Sequence, residues 1–525
     1  MELLLTLFLP LCGSIVLLFI ERHRINVFKY FSLVVSLITF ISSVLLLIKF
    51  DFSKTNFQYF YEATWIDQLD AGFRIGVDGI SVLLVLLTTF ISPITIVSSF
   101  TAIQKREKEY YVLLLLLQFA MTGVFVALDL FLFYIFWELV LIPMYFIIGL
   151  WGGKNRIYAS VKFFIYTVVG SLFMLVAIIW LGLYVGGNLL NLSYGFTSNF
   201  VKIRETLYLH QIPFEIEKWL FLAFALSFCI KVPLFPLHTW LPDAHTEAPT
   251  PGSVILAGIL LKLGTYGLIR FNLELFTLSS IYYAPYISVL AVIGIVYGAL
   301  VSAVQTDVKR LVAFSSVSHL GFVVLGIFSI TVEGMQGAII QMVNHGLSTG
   351  MLFLAVGILY ERRHTREIAE YGGIARVMPA FSVFLGIAML ASVGLPGLNG
   401  FVGEFLSLLG AFKSPILNSY WFTIFAATGV IFAAVYLLTM FQKVIFGPLT
   451  NPANHNLKDI NKREWLYLTP IVILMFWIGL YPKFFLNYSE ASVQQVVQKV
   501  YNYKLPSHTQ IEFPKYWNSQ KSKLK

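Results

Sequence analysis

The stretch "SFCIKVPLFPLHTWLPDAH", residues 227–245, places a positive charge and two prolines at the end of an apolar run. Lys231 precedes Pro233 and Pro236, and a proline removes a backbone N–H donor and clashes with the preceding turn. Inside a membrane, such a break is tolerated only where the backbone lines a cavity or is buried in protein. The stretch therefore predicts a transmembrane helix that is interrupted beside a buried charge.

The composition is that of a chain that lies mostly within a lipid bilayer. Of 525 residues, 58% are hydrophobic and only 12% are charged, which leaves too little polar surface to cover a soluble core. The net charge of +9 indicates basic loops on the cytoplasmic side rather than a nucleic-acid surface. Cys12 and Cys229 both lie in apolar runs and form neither a disulfide framework nor a metal-binding spacing.

Apolar segments of about 20 residues predict fourteen membrane-spanning helices and no soluble domain. With the N-terminus outside, eighteen Lys and Arg residues fall in inner loops and eight in outer loops, as the positive-inside rule requires. The tail, 487–525, is expected to be an amphipathic or extended appendage outside the membrane, although its basic end opposes that trend. The predicted spans lie near 2–20, 28–48, 79–101, 110–128, 130–150, 158–186, 217–241, 250–271, 282–304, 308–330, 335–360, 380–411, 418–446 and 465–482.

Four charged residues fall well inside these spans: Glu138, Lys231, Lys262 and Glu404. Each costs about 3 kcal/mol or more on insertion, so such groups are expected to face one another or water and to be functional. Burial disfavours the charged form of a lysine and a nearby carboxylate favours it, so Glu138 is interpreted as the partner that tunes the proton affinity of Lys231. The alternatives are a structural ion pair and a lysine that reaches the interface from a helix end.

Two histidines, His319 and His345, lie in spans between Lys262 and Glu404 in the sequence. Histidine titrates near physiological pH, so both are candidates for a proton path. The alternative for each is a hydrogen-bonded core residue.

Other classes of site have little support. The chain has no phosphate-binding loop, no G-x-G-x-x-G that opens a helix after a strand and no H-E-x-x-H. Four polar residues after Lys231 could suggest a metal site: His238, Asp243, His245 and Glu247. A hydrated helix break and loop explains them more simply.

The two helix breaks predict an inverted repeat. "GLPG" at 394–397 interrupts the twelfth span just before Glu404, as the prolines interrupt the seventh span just after Lys231. Each charge lies about 120 residues after the start of a five-helix block, and an odd number of helices makes consecutive blocks enter the membrane from opposite sides. The expected fold is an all-α polytopic membrane protein whose parts are three N-terminal helices (1–109), two repeats (110–271 and 272–446), and a last helix with its tail (447–525).

The segments around these charges resemble a known family. They are "FWELVLIPMYFIIG", "KVPLFPLHTWLPDAHTEAPTPGSVILAGILLKLGTYGLIRF", "DVKRLVAFSSVSHLGF", "HGLSTGMLFLAVGILYERRHTREIAEYGG" and "GLPGLNGFVGEF". From about 75 to 480 the chain is similar to the antiporter-like subunits of NADH:quinone oxidoreductase, respiratory complex I. The D subunit of the photosynthetic NDH complex is a close relative, and multi-subunit sodium/proton antiporters share the fold.

The resemblance implies fourteen helices in two inverted repeats and assigns roles to four positions. The family's helix-5 glutamate corresponds to Glu138, its helix-7 lysine to Lys231, its helix-8 lysine to Lys262 and its helix-12 residue to Glu404. Glutamate at this last position is typical of the M (chain 4) branch, whereas the sister subunits generally carry lysine. The first 75 residues and the tail match only loosely.

The resemblance also implies a function: a proton-translocating membrane-arm subunit that couples quinone reduction elsewhere in the complex to proton transfer through a buried chain of Glu, Lys and His. No cofactor is expected in this chain, since NADH, FMN, iron–sulfur clusters and quinone belong to other subunits. The expected partners are neighbouring antiporter-like subunits and the bilayer, with no nucleic acid. The expected location is a bacterial cytoplasmic membrane or an organellar energy-transducing membrane. A subunit of a stand-alone cation/proton antiporter and a non-pumping structural spacer remain alternatives, and four buried ionisable groups argue against the spacer.

Overall fold

The structure is a computed structural model that describes residues 1–502. Within these residues, twelve helical segments are long and apolar enough to cross a membrane. Two further crossings are made by pairs of shorter helices with a break between them, which gives the fourteen crossings expected from the sequence. The part of the expected appendage that follows residue 502 lies outside the described residues.

The elements follow one another along the chain, and the side on which the first helix begins is called the outer face, after the orientation predicted from the basic loops. The helices are α1 (Glu2–Phe19), α2 (Ile25–Ile48), α3 (Val82–Ala102), α4 (Glu107–Val126), α5 (Leu130–Leu139), α6 (Leu141–Trp151), α7 (Arg156–Leu183), α8 (Phe200–Leu209), α9 (Phe214–Lys231), α10 (Trp240–Glu247), α11 (Thr250–Ile255), α12 (Leu261–Gly267), α13 (Thr277–Ala303), α14 (Val308–Phe328), α15 (Val332–Arg363), α16 (Pro379–Val393), α17 (Asn399–Lys413), α18 (Tyr420–Ile445), α19 (Lys462–Leu480) and α20 (Lys483–Asn502). Two strands, β1 (Gln58–Ile66) and β2 (Ala71–Val77), precede α3.

Both predicted helix breaks are present. α9 ends at Lys231, and α10 begins only at Trp240. The second break separates α16 from α17, and there Gly394 and Gly397 adopt φ values of +85° and +95°. Glycine adopts this left-handed conformation without the strain that a side chain would introduce. The "GLPG" segment therefore ends one helix and redirects the chain into the next.

A β-hairpin on the outer face was not predicted. β1 and β2 pair antiparallel in the segment between the second and third predicted spans. Arg74 of β2 is only 3% exposed and forms ion pairs with Glu62, Asp70 and Asp129 at 2.6–2.9 Å. Asp129 also caps the N-terminus of α5, so the hairpin fixes the outer end of the helix that carries Glu138.

The helix α20 is amphipathic and lies across the outer face, where it contacts both halves of the chain. Ser492 Oγ accepts a hydrogen bond from the backbone N–H of Gly79 at 3.1 Å. Near the other end of α20, Lys499 Nζ donates to the backbone carbonyl of Glu274 at 2.8 Å. The predicted appendage is thus a packed helix over residues 483–502.

The centre of the molecule is formed by helices that are shielded from the bilayer. Every residue in the most apolar part of the central helices is buried; these are α14, α15 and the segment Thr250–Leu273. Fewer than half of the corresponding residues are buried in α1, α2, α7, α13, α18 and α19. The outer ring of helices presents apolar side chains to lipid. The buried helices bring the charged residues together at the centre.

Candidate functional site

The first part of the site lies where α5 meets the end of α9. The Lys231 ammonium is 4.7 Å from the centre of the Trp137 ring, and 1% of the Lys231 surface is exposed. Among the described residues this ammonium has no hydrogen-bond partner, and it forms no ion pair with Glu138 within 4.0 Å. The expected ion pair between Glu138 and Lys231 is therefore open, which means that the two groups are not in contact. The lysine instead contacts Trp137, the residue that precedes the glutamate.

The span that carries Glu138 runs from Leu130 to Trp151 but lacks one backbone hydrogen bond after the glutamate. α5 and α6 meet at Val140, which keeps helical dihedral angles, and Pro143 has no backbone N–H to donate to the carbonyl of Leu139. Trp137 and Glu138 are consecutive, so they project about 100° apart around α5 and face different neighbours. Trp137 packs edge to face on Phe228 of α9, with ring centroids 5.3 Å apart.

The break after Lys231 provides partners for its own backbone. The indole N–H of Trp240 donates to the carbonyl of Ile230 at 2.8 Å, and the N–H of Leu234 donates to Cys229 at 2.9 Å. An unpaired carbonyl at this depth would cost several kcal/mol, so these contacts stabilise the end of α9 beside the charge.

Lys262 occupies the centre of a helix with two wide turns. Residues Leu256–Leu260 and Leu268–Leu273 on either side of α12 have π-helical hydrogen bonding, which shifts the backbone register and leaves carbonyls without intrahelical partners. Lys262 Nζ donates to the carbonyl of Ala257 in the first of these turns. Lys262 is fully buried, and its second contact is with His345 Nδ1 of α15 at 2.7 Å.

The helices that carry the two lysines are in direct contact. A Cβ atom on Gly264 would lie 2.6 Å from the carbonyl oxygen of Phe228, so only glycine allows this approach of α12 to α9. Lys231 and Lys262 each lie within three residues of this contact. The first half of the chain therefore brings both lysines to one helix–helix interface.

The second part of the site contains Glu404 and His319. His319 Nδ1 lies 2.7 Å from Glu404 Oε1, and Gln341 Nε2 donates to the same oxygen at 3.1 Å. The rings of His319 and His345 have centroids 6.0 Å apart. Lys262, His345, His319 and Glu404, each predicted from sequence, thus form one line across the buried centre.

The helix break at Gly394 lies directly beside Glu404. A Cβ atom built on Gly394 would be 3.2 Å from Glu404 Oε2. Asn399 at the start of α17 and Asn344 of α15 form two reciprocal hydrogen bonds. Asn344 Nδ2 donates to the backbone carbonyl of Asn399 at 2.7 Å, and Asn399 Nδ2 donates to the backbone carbonyl of Asn344 at 3.2 Å. These contacts hold the carboxylate against α15 and position it toward His319.

The line of residues offers groups that gain and lose protons in turn. A lysine bound to an imidazole, and an imidazole bound to a carboxylate, each share a hydrogen bond along which a proton can pass. The 6.0 Å separation of the His319 and His345 ring centroids exceeds a direct hydrogen bond in length, so transfer there requires a bridging water or a ring movement. The arrangement suits proton conduction between buried bases.

Two buried groups near the inner face were not predicted. His245 was assigned to a hydrated break and loop, but it lies on α10, is fully buried and stacks on Phe353 with centroids 4.8 Å apart. Lys309, at the start of α14, is 6% exposed and donates to the carbonyl of Ala248. The sequence signal for Lys309 is that of an ordinary basic residue at the inner end of a span, so nothing marked it as buried.

Two further members of the polar group formed by His238, Asp243, His245 and Glu247 have structural partners. Asp243 pairs with Lys162 at 2.7 Å, and Glu247 accepts from the backbone N–H of Asn155 at 2.9 Å. In residues 1–502, no three His, Cys, Asp or Glu side chains are grouped so that they could hold a metal ion.

Comparison with known protein families gives a match over the region that contains the site. Residues 127–442 match the family described as NADH:quinone oxidoreductase/Mrp antiporter, TM. The chain belongs to this family. The match includes all six of the predicted site residues: Glu138, Lys231, Lys262, His319, His345 and Glu404.

Individual relatives extend the similarity to almost the whole chain. NADH-quinone oxidoreductase subunit M of Rickettsia prowazekii is 44% identical over 497 residues, which cover 94% of this chain and 98% of the relative. NADH-ubiquinone oxidoreductase chain 4 of Arabidopsis thaliana is 43% identical and covers 93% of this chain and 95% of the relative. The resemblance inferred from the motifs is therefore confirmed. The prediction of a multi-pass membrane protein is confirmed as well.

Solved structures show the same architecture. A chain of respiratory complex I from Thermus thermophilus with bound NADH superimposes with a TM-score of 0.84 at 31% identity, covering 95% of this chain and 100% of that one. A chain of an archaeal membrane-bound sulfane sulfur reductase has the same fold, with a TM-score of 0.81 at 23% identity and coverage of 92% and 76%. The expected helical, polytopic membrane fold is confirmed.

Proposed function

We propose that this chain is the M-type, proton-translocating membrane-arm subunit of an NADH:quinone oxidoreductase. The observation that carries the proposal is the buried line from Lys262 through His345 and His319 to Glu404, with contacts of 2.7 Å at both of its ends. A structural spacer would gain nothing from these groups, because each ionisable side chain at this depth costs about 3 kcal/mol. Membership of the family and the similarity to subunit M relatives support the redox complex as the setting.

In this proposal the site residues have distinct roles. Glu138 tunes the proton affinity of Lys231, because a carboxylate close to a buried ammonium favours the charged form. A change in the charge of Lys231 alters the proton affinity of Lys262 across the helix contact at Gly264. Lys262 and Glu404 hold protons at the two ends of the buried line, and His345 and His319 relay protons between them.

The redox chemistry takes place outside this chain. NADH, FMN, iron–sulfur clusters and quinone are carried by other subunits, and the energy they release reaches this chain as a change in the charge or hydration near Glu138. The neighbours within the bilayer are other antiporter-like subunits of the membrane arm. The membrane is the bacterial cytoplasmic membrane, since the similar subunit M chains include those of Rickettsia and Rhodobacter.

The test is a partner inventory combined with a transport assay. An affinity-tagged full-length chain is purified from its native membrane in mild detergent, and its gene is deleted in a parallel strain. We expect the tagged chain to co-purify with NADH-oxidising and quinone-reducing subunits, and the deletion to abolish NADH-driven proton pumping. Purification without redox subunits, together with cation/proton exchange in liposomes, would identify a stand-alone antiporter instead. A complex that assembles with a Lys262→Met chain and still pumps at the native proton-to-electron ratio would identify a spacer.

A further inference from the structure

The contact between Lys231 and Trp137 has no part in the expected proton path, and we infer that Trp137 is a positioning residue for the Lys231 charge. The Lys231 ammonium alternates between two partners, the face of the Trp137 ring and the carboxylate of Glu138. The ring holds the charged lysine in place while the ion pair is open. This inference rests on the proposed function, in which Lys231 takes part in proton transfer.

The geometry is that of a buried cation–π contact. The ammonium lies 4.7 Å from the ring centre, within the roughly 6 Å over which the negative face of an indole attracts a cation. Trp137 and Lys231 are each only 1% exposed. Such contacts are strongest when both partners are desolvated, and tryptophan gives the strongest of them.

Packing alone sets the orientation of the Trp137 ring. Phe133 and Phe228 lie against it, with centroids 5.6 Å and 5.3 Å from the Trp137 ring. Among residues 1–502, the indole N–H has no hydrogen-bond partner. The polar feature that this side chain offers to Lys231 is therefore its ring face, and replacing the ring breaks no hydrogen bond.

The ring compensates for the missing carboxylate contact. A buried ammonium without hydrogen bonds or an ion pair is costly, and the Lys231 ammonium has neither within the described part of the chain. The ring quadrupole is the favourable electrostatic contact that the structure provides for it. Trp137 thus lowers the cost of keeping Lys231 charged in the open state.

The two partners of Lys231 lie on different sides of α5. Trp137 and Glu138 are consecutive and project about 100° apart, and in this structure the ammonium lies over the ring and not within ion-pair distance of the carboxylate. The four-carbon side chain of lysine is flexible enough to swing between them. The strength of the ring contact therefore weights the state in which the ion pair is open against the state in which it is closed.

Substitutions at Trp137 test the inference in the assembled complex, reconstituted in liposomes. Trp137→Leu keeps an apolar side chain without a π face, and we expect NADH-driven pumping to fall about ten- to thirty-fold. Trp137→Phe restores a ring with a weaker negative face. On a logarithmic scale of the pumping rate, it is expected to recover more than half of what Trp137→Leu loses. Trp180→Leu is the matched control, since Trp180 stacks on Tyr184 and no cation lies over its ring in the described structure; pumping is expected to stay unchanged.

Graded fluorination separates ring electrostatics from packing. Each fluorine placed on the indole by nonsense suppression at position 137 weakens the negative face while the ring shape is nearly kept. We expect the logarithm of the pumping rate to fall steadily with the number of fluorines at Trp137, and not at Trp180. Equal rates across the series, with Trp137→Leu impaired, would show a packing role only and would overturn the inference.

A further variant separates this inference from the proposed function. Lys231→Met removes the charge, and in the complex that contains it pumping is expected to be lost. If Lys231→Met pumps normally, the role of Lys231 in the proposed function is wrong and the inference fails with it. If Lys231→Met is inactive while Trp137→Leu pumps normally, the proposed function stands and Trp137 has no positioning role.

Discussion

Replacing Glu404 with glutamine removes a titratable group while nearly preserving its shape, and it is the most informative single change in the buried line. Glu404 Oε1 contacts His319 Nδ1 at 2.7 Å and accepts from Gln341 Nε2 at 3.1 Å. The glutamine oxygen can replace one of these contacts, so the loss in stability is that of one charge-assisted hydrogen bond, about 1.5–3 kcal/mol. The complex is therefore expected to assemble.

The effect of Glu404→Gln on proton transfer is expected to be much larger. A positioned acid–base group contributes roughly 10²–10⁴-fold to a proton-transfer step, so pumping through this chain should fall at least about 100-fold. The assay is NADH-driven acidification of liposomes that contain the whole complex, with the amount of assembled complex measured on native gels. Normal pumping at the normal proton-to-electron ratio in fully assembled complex would refute the role of Glu404.

Two variants set the scale for this measurement. Glu404→Lys replaces the carboxylate with another titratable group, as in the sister subunits, and should retain more pumping than Glu404→Gln. The control is Glu333→Gln on the outer part of α15, where Glu333 pairs with Lys413 at 2.7 Å with 35% and 52% of the side chains exposed. An exposed pair contributes about 0–1 kcal/mol, so the control should pump normally.

Three further changes test other parts of the site and fold. Glu138→Ala should abolish most NADH-driven pumping without preventing assembly, and Glu138→Asp should retain part of it, as measured in the same liposomes. Gly394→Ala introduces a side chain at φ +85° and 3.2 Å from the Glu404 carboxylate, so the thermal midpoint of the complex and its pumping should both decrease. Burial lowers the pKa of Lys499 to about 8, partly offset by the nearby Glu274 carboxylate, so the unfolded chain binds more protons between pH 8 and about 10.5. The attachment of α20 should therefore strengthen as pH rises through that window, seen as slower amide hydrogen exchange after correction for intrinsic rates.

Much of the fold could be predicted because the bilayer constrains it. Spans follow from apolar length, and the two broken helices follow from the prolines after Lys231 and the glycines before Glu404. The four charges within the spans stand out because so few charges lie in apolar segments. Three of them, Lys231, Lys262 and Glu404, are buried, and Glu138 is partly exposed. The hairpin could not be predicted in the same way, because Arg74 and Asp129 meet only after the chain has folded.

The partners within the site depend on long-range packing that periodicity does not reveal. No pattern in the sequence shows that the wide helical turn before Lys262 places its ammonium against His345, or that His319 is the residue that contacts Glu404. Trp137 was not singled out, because a tryptophan in an apolar helix looks like core. Its contact with Lys231 depends on how α5 packs on α9, about 90 residues later in the sequence.

Proton transfer through this chain by way of Lys262 is tested most directly by the proton-to-electron ratio of a Lys262→Met complex. The ratio is measured in liposomes that contain fully assembled complex, with NADH oxidation and proton uptake followed in the same sample. We expect NADH oxidation in coupled vesicles to be slow and fewer protons to move per electron than in the native complex. A native proton-to-electron ratio at a native rate of oxidation would contradict it.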